Sequence, residues 1–379
     1  MLDCSEVTRF SSDDPALLEF LDEHGYAVVK GAASAADLPR LRNLLWEFLE
    51  ANTAAADPNG RGPQGCGWVR GDPSTWSDAG MARVGSMVGV GILNGRGVGH
   101  SDFLWAVREL PNVVQAFATV WGTADLVSSF DGANVFRPYA WPPASTEVSA
   151  AVGMASSSSP PSARTKGGWW HVDQGPGKCG ARHAVQGLLS LFDQGEATGG
   201  LCVVPGSHTR HAELCALAMA GSSSGRDFVP IPALLEGFNA MPRRLVPCKA
   251  GDLVLWDSRT FHCNTPAPRP LPWPPEPAPL SRRAAASGGA PAEKEPVGLE
   301  GAVELLRAVA YVCMGPAVLC DAEARRRRRA AYGAGVTTSH WPHDNLPECE
   351  QSEATVRRGA HKIPRDLSSA SPLRRQLVG

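Results

Sequence analysis

Trp170-His171-Val172-Asp173-Gln174 ends a short apolar stretch, and two of its side chains, His171 and Asp173, are of metal-ligating type. They stand two positions apart, so in an extended chain both point to one face. A third residue of the same kind is His262, which follows Gly251-Asp-Leu-Val-Leu-Trp256, a turn leading into a buried strand. Two imidazoles and one carboxylate leave three adjacent positions open on an octahedral ion, as non-haem Fe(II) oxygenases require. A structural zinc would want a fourth protein ligand, and no thiolate pair offers one.

Outward from these residues the chain reads as short strands separated by Gly, Pro or Asp. The strand candidates are Leu126 to Tyr139, Trp169 to Val172, Ala184 to Phe192, Leu201 to Val204, Leu253 to Trp256 and Leu306 to Met314. The N-terminal region differs. Pro15 to His24 reads as a helix stopped by Gly25, Tyr26-Ala-Val-Val as a strand, and Ser34 as the cap of a helix with a Leu38–Leu49 stripe. Another helix starts at Pro111, with Val114, Phe117 and Trp121 on one face. Many strands after a helical start predict a mainly β fold, a sandwich or barrel with helices packed outside.

Two low-complexity inserts interrupt the β region, about 142–168 and 265–301. The first contains four consecutive serines from Ser156, and in the second eight of the fourteen residues from Pro266 to Pro279 are proline. Too few apolar side chains repay their ordering, so both read as flexible surface loops. Docking of a protein partner on the Pro-rich loop is the lesser reading. The expected layout is one domain over 1–349 and a flexible tail over 350–379.

Of 379 residues, 43% are hydrophobic, which supplies a packed core and excludes a wholly disordered chain. The 36 basic and 38 acidic side chains leave a net charge of -2, so no global footprint for nucleic acid or anionic membrane exists. The longest apolar run, Ala308 to Met314, falls short of the roughly 20 residues that span a bilayer. No secretory signal is expected in Met1-Leu-Asp-Cys-Ser-Glu, and the ten cysteines show no CxxC pair or regular spacing. A cytoplasmic protein with buried, reduced cysteines is the expectation.

Three features suggest chemistry and fail on context. Gly221-Ser-Ser-Ser-Gly225 has the GxSxG spacing but no strand before it. The glycines between Gly89 and Gly99 never give a GxGxxG that opens a helix. The five arginines Arg325 to Arg329 read as a solvated helix end within Asp321–Tyr332. His183, His208, His211, His340 and His343 lack a partner at ligand spacing and read as structural or solvated.

Taken together, the opening "helix, Gly25-Tyr-Ala-Val-Val-Lys-Gly31, helix", the 170–174 stretch, Gly199-Gly-Leu-Cys-Val-Val-Pro-Gly-Ser-His208 and the 251–256 strand leading to Phe261-His262 form an ordered set. This set resembles the phytanoyl-CoA dioxygenase family of Fe(II)/2-oxoglutarate oxygenases. The resemblance covers about Leu17 to Pro316, apart from the inserts. It implies a double-stranded β-helix, the cupin-like jelly roll, with His171, Asp173 and His262 on iron near one mouth. It also implies 2-oxoglutarate as cosubstrate, O2 as oxidant, and hydroxylation of an aliphatic C–H bond of a small molecule with release of succinate and CO2.

The distal carboxylate of 2-oxoglutarate then needs a cation, preferably an arginine fork. By the resemblance Arg307 is that residue, with Arg269, Arg282 and Arg283 as competitors. Asn264 fits a helper to the same carboxylate, and Arg137 a position that approaches the cosubstrate. Trp169, Trp170 and Gln186 are the expected pocket walls. Two rival readings keep the fold and change the role: a binding module without catalysis, and an oxygenase acting on a protein side chain.

Overall fold

The computed structural model describes residues 2–56, 63–64, 67–85, 88–138, 164–220, 227–231, 237–268, 303–344 and 363–379. Its centre is a pair of sheets. An eight-stranded sheet runs Arg9–Phe10, Tyr26–Val29, Leu253–Asp257, Val185–Ser190, Arg307–Pro316, Ala133–Phe136 and Ile92–Leu93, with Leu126–Ser128 also paired to the Arg307–Pro316 strand. A six-stranded sheet runs Leu2–Asp3, Arg243–Leu245, Gly199–Val203, His262–Pro266, His171–Val172 and Val229–Pro230. The pairs are antiparallel apart from the two N-terminal edge pairings.

Period-two alternation explains why the larger sheet is apolar on both faces. Val28, Leu188, Val254, Trp256 and Val309 point inward and pack against Leu201 and Val203 of the smaller sheet. Their neighbours Ala27, Val29, Leu189, Leu253, Leu255, Ala308 and Ala310 face the other way, into a core shared with the helices. Those helices are Ala16–His24, Asp37–Thr53, Asp102–Arg108 and Pro111–Trp121. Two opposed sheets with helices outside the larger one are the mainly β jelly roll expected from the sequence.

Most expected elements are present, with shifted ends. Gly25 caps the first helix at φ 77°, and its N–H donates to the Leu21 carbonyl oxygen. Ser34 does not cap the second helix, which starts at Asp37; its hydroxyl and N–H donate instead to the Asp37 carboxylate. The expected strand Leu126–Tyr139 is two short strands, because each pairs with a different end of the long Arg307–Pro316 strand. Short strands at Val229–Pro230 and Arg243–Leu245 carry too little apolar pattern to be read from sequence.

The insert boundaries also move inward. Residues 164–168 are placed, with the Lys166 N–H donating to Gly89 O, and Thr265–Pro266 complete a strand. Residues 142–163, 221–226 and 269–301, which include Arg269, Arg282 and Arg283, lie outside the described residues. The tail is corrected over 363–379. A helix, Pro372–Val378, buries Leu377 and Val378, because a buried arginine of the helix Ala322–Ala334 holds its last carbonyls. Residues 350–362 lie outside the described residues. Among the described residues no helix is long and apolar enough to cross a membrane.

Candidate active site

His171 and His262 face each other as a register pair of adjacent strands in the smaller sheet. Asp173 follows one residue past its strand, and its N–H donates to Ser258 O at 3.1 Å. The donor atoms of the three residues lie within 4.8 Å of one another. Nε2 of His171 stands 3.6 Å from Asp173 Oδ1, and Nε2 of His262 stands 3.3 Å from Oδ2. These separations suit three ligands on one face of a single ion.

The backbone fixes both tautomers. His171 Nδ1 is 3.0 Å from Trp169 O, and His262 Nδ1 is 2.9 Å from Thr260 O. A carbonyl only accepts, so each Nδ1 carries the proton and each neutral Nε2 keeps its lone pair for the site. Burial lowers the His171 pKa, and nearby His262 lowers it further. Burial would raise Asp173, but His171 and His262 outweigh it and hold the carboxyl well below its usual range. A His171 of lowered pKa beside an ionised Asp173 is the protonation pattern a metal takes up.

Neighbours restrain this group. Trp169 stacks on the His171 ring at 4.7 Å and 12°, and Phe228 stacks on it at 4.6 Å and 28°. The Gln186 amide donates to Asp173 Oδ2 at 3.0 Å. The donors open into a pocket of about 200 Å³, also lined by Asn264, Tyr311, Asp131 and His340.

Arg307 is fully buried at the start of its strand and does not line the pocket, whereas Tyr311 and Asn264 do. Its Nε donates to Gln194 Oε1 at 2.8 Å and its Nη1 to Asn134 Oδ1 at 2.5 Å. Nη2 has no hydrogen bond of normal geometry, although Tyr311 lies alongside the guanidinium. Asn264 Nδ2 donates to the Tyr311 hydroxyl at 3.4 Å. With two nitrogens committed, one orphaned donor nitrogen is left for an acidic group, so the expected two-pronged fork is reduced to one prong.

Three expected site residues, Arg307, Trp170 and Arg137, are not among those that line the pocket. Alternation sends Trp169, His171 and Asp173 to one face but Trp170 and Val172 to the other, where Trp170 packs on Phe238. Arg137 faces the helices, its Nη1 donating to Trp76 O at 2.8 Å and its Nη2 to Asp78. Phe136, one position before it, and Asn134, three before it, take the inward face toward Arg307. Tyr311 escaped the sequence reading although it stands four positions past Arg307, on the same face of an extended strand. Asp131 and His340 come from irregular segments and leave no periodic trace.

Comparison with known proteins agrees with this geometry. Residues 92–266 match the family model described as Phytanoyl-CoA dioxygenase (PhyH), a span that includes His171, Asp173 and His262. "Ava biosynthesis cluster protein O" of Aspergillus versicolor is 24% identical over 276 residues, covering 68% of this chain and 69% of that protein. Among solved structures, AviO1 from Streptomyces viridochromogenes Tue57 aligns over 81% of this chain and 97% of its own, at 14% identity and a TM-score of 0.43. The "non-heme alpha ketoglutarate dependent carbocyclase SnoK" aligns over 81% of this chain and 86% of its own, at 14% identity and a TM-score of 0.41. Over residues 92–266, a little under half of its length, the chain is thus similar to the phytanoyl-CoA dioxygenase (PhyH) family.

Proposed function

We propose that this protein hydroxylates an aliphatic C–H bond of a small organic substrate, using Fe(II), 2-oxoglutarate and O2 and releasing succinate and CO2. The observation that carries the reading is the convergence of two Nε2 lone pairs and the Asp173 carboxylate on one point of the pocket. An intact carboxylate at 173 favours hydroxylation, since it leaves no ligand position to a halide. When bound there, ferrous iron with 2-oxoglutarate supplies the oxidising power for inserting one oxygen atom of O2 into the substrate.

The chain's own residues hold and shield that centre. His171, Asp173 and His262 are the ligands, and Gln186 fixes the Asp173 carboxylate by occupying Oδ2. Trp169 and Phe228 keep the His171 ring from turning. Arg307, through Nη2, and Asn264 with Tyr311 receive the far carboxylate of 2-oxoglutarate. His340 Nε2, buried without a hydrogen-bond partner among the described residues, is left to orient substrate. The catalytic unit is read as one domain that includes the C-terminal helix Pro372–Val378. The eight described cysteines are all free, which supports the reducing cytosol as the place of action.

The test is an anaerobic titration with Fe(II) and then 2-oxoglutarate, following the visible metal-to-ligand charge-transfer band. The wild type develops the band, Asp173→Ala does not, and Arg307→Gln needs roughly 10–100 times more 2-oxoglutarate, as befits a lost hydrogen bond to a charged group. No band in the wild type would remove the oxygenase reading and leave a jelly-roll binding module. Succinate release from small molecules, set against release from protein substrates, separates the two catalytic readings.

A further inference from the structure

A second cluster of ligating side chains lies behind the first, on the other side of Gln174. Cys179, His211 and Cys215 bring their donor atoms to within 4.8 Å of one another, and the oxygenase reading uses none of them. His211 and Cys215 stand four apart on the helix His211–Ala220 and share a face. Cys179 follows the short turn Pro176–Lys178, on the segment that leaves Asp173.

The separations suit ligands of one ion. His211 Nε2 lies 2.6 Å from Gln174 O, so this nitrogen carries the ring proton and Nδ1 keeps its lone pair. Cys215 Sγ stands 3.8 Å from Nδ1 and 3.7 Å from Nε2. Tetrahedral zinc with bonds of about 2.3 Å to sulfur and about 2.05 Å to nitrogen puts those two ligands about 3.6 Å apart. A backbone carbonyl on the second ring nitrogen is the outer-shell arrangement that orients a metal-bound histidine. Two thiolates and an imidazole select a soft or borderline ion over Mg(II) or Ca(II).

We propose that Cys179, His211 and Cys215 form a second metal site for a zinc-type divalent ion. Binding replaces two thiol protons, which go to solvent, and leaves a complex of no net charge. Cys179 is exposed and His211 and Cys215 are buried, so the fourth position opens toward solvent and is filled by water. The ion ties the segment after Asp173 to the helix. That segment is already closed on Gln174, whose amide donates to Lys178 O at 2.7 Å and Ala181 O at 2.8 Å. The site therefore braces the loop that carries the carboxylate ligand of the first centre.

Cobalt(II) reads this site apart from the first, because only thiolate ligands give an intense sulfur-to-cobalt charge-transfer band. The reduced, full-length protein is titrated anaerobically with Co(II) in wild type, Asp173→Ala, Cys179→Ser and Cys215→Ser. The expected result is the band in wild type and in Asp173→Ala, its loss in both serine variants, and its removal by an equivalent of Zn(II). Cys179 is exposed, so Cys179→Ser keeps its fold, verified by an unchanged circular dichroism spectrum. Absence of the band in reduced wild type overturns the proposal. So does a band that survives in both serine variants, or a Cys179–Cys215 disulfide that on reduction takes up no metal.

Discussion

At the scale of single residues, the two Nδ1–carbonyl bonds and the Gln186–Asp173 bond decide what the site can hold. Each removes one of two choices: which ring nitrogen is bare, and which carboxylate oxygen is free. Gln186→Leu keeps the bulk of the side chain and frees Asp173 Oδ2. Its Fe(II) affinity is expected to fall by about 10–100-fold, the usual cost of losing an outer-shell partner. Anaerobic Fe(II) titration checks this, and unchanged affinity would mean the amide is only a wall. The ligand spacing already implies Trp170's orientation, since the alternation that places His171 inward turns its neighbour away.

At the scale of elements, the run Arg325–Arg329 shows how a charge pattern misleads. Arg326 and Arg327 are solvated beside Glu323, as the sequence suggests. Arg328 is fully buried and donates to Ser128 O and Leu377 O at 2.7 Å, to Val378 O at 2.8 Å and to Pro342 O. It joins the Ala322–Ala334 helix, the Leu126–Ser128 strand and the C-terminal helix. Gly335 permits the approach: its φ is 68°, and a Cβ there would stand 2.2 Å from the Ile363 carbonyl carbon. Arg328→Met leaves four buried carbonyls unpaired and is expected to cost about 3–5 kcal/mol in urea unfolding. Deleting residues 372–379 should cost a similar amount. The two changes together should cost clearly less than their sum, because both remove one interaction. Full additivity would show that Arg328 acts elsewhere.

At the scale of the whole molecule, buried neutral histidines set the response to acid. His100 is fully buried among Phe130, Trp105 and Tyr332, with Nε2 2.9 Å from Val336 O. Burial, with help from Arg108, pushes its pKa down to about 3, and burial takes His343 to about 4. An unfolded histidine titrates near ~6.5, so below that pH the unfolded chain binds more protons than the native one. Stability is therefore full above about pH 6.5 and falls toward pH 3, by up to ~1.4 kcal/mol per pH unit for each group. Buried Asp131, whose pKa burial raises, acts in the opposite direction at the acid end. His100→Gln should flatten the fall of the melting temperature between pH 6.5 and 5; an unchanged slope would exclude His100 as a source.

The sequence alone marked the helical start, most central strands and the His171–Asp173 pair, because each rests on spacing within one segment, whereas strand pairing brings the distant His262 to them. Period two put His171 and Asp173 together, and period 3.6 marked the helices of Ala16–His24 and Pro111–Trp121. Tertiary structure decided the rest. It buried Arg307 beside Tyr311, turned Arg137 away, and buried Arg328 under the C-terminal helix. It also gathered Cys179, His211 and Cys215. These outcomes depend on which faces of distant segments meet, and that is set by packing two sheets and a helical layer, not by the local order of residues.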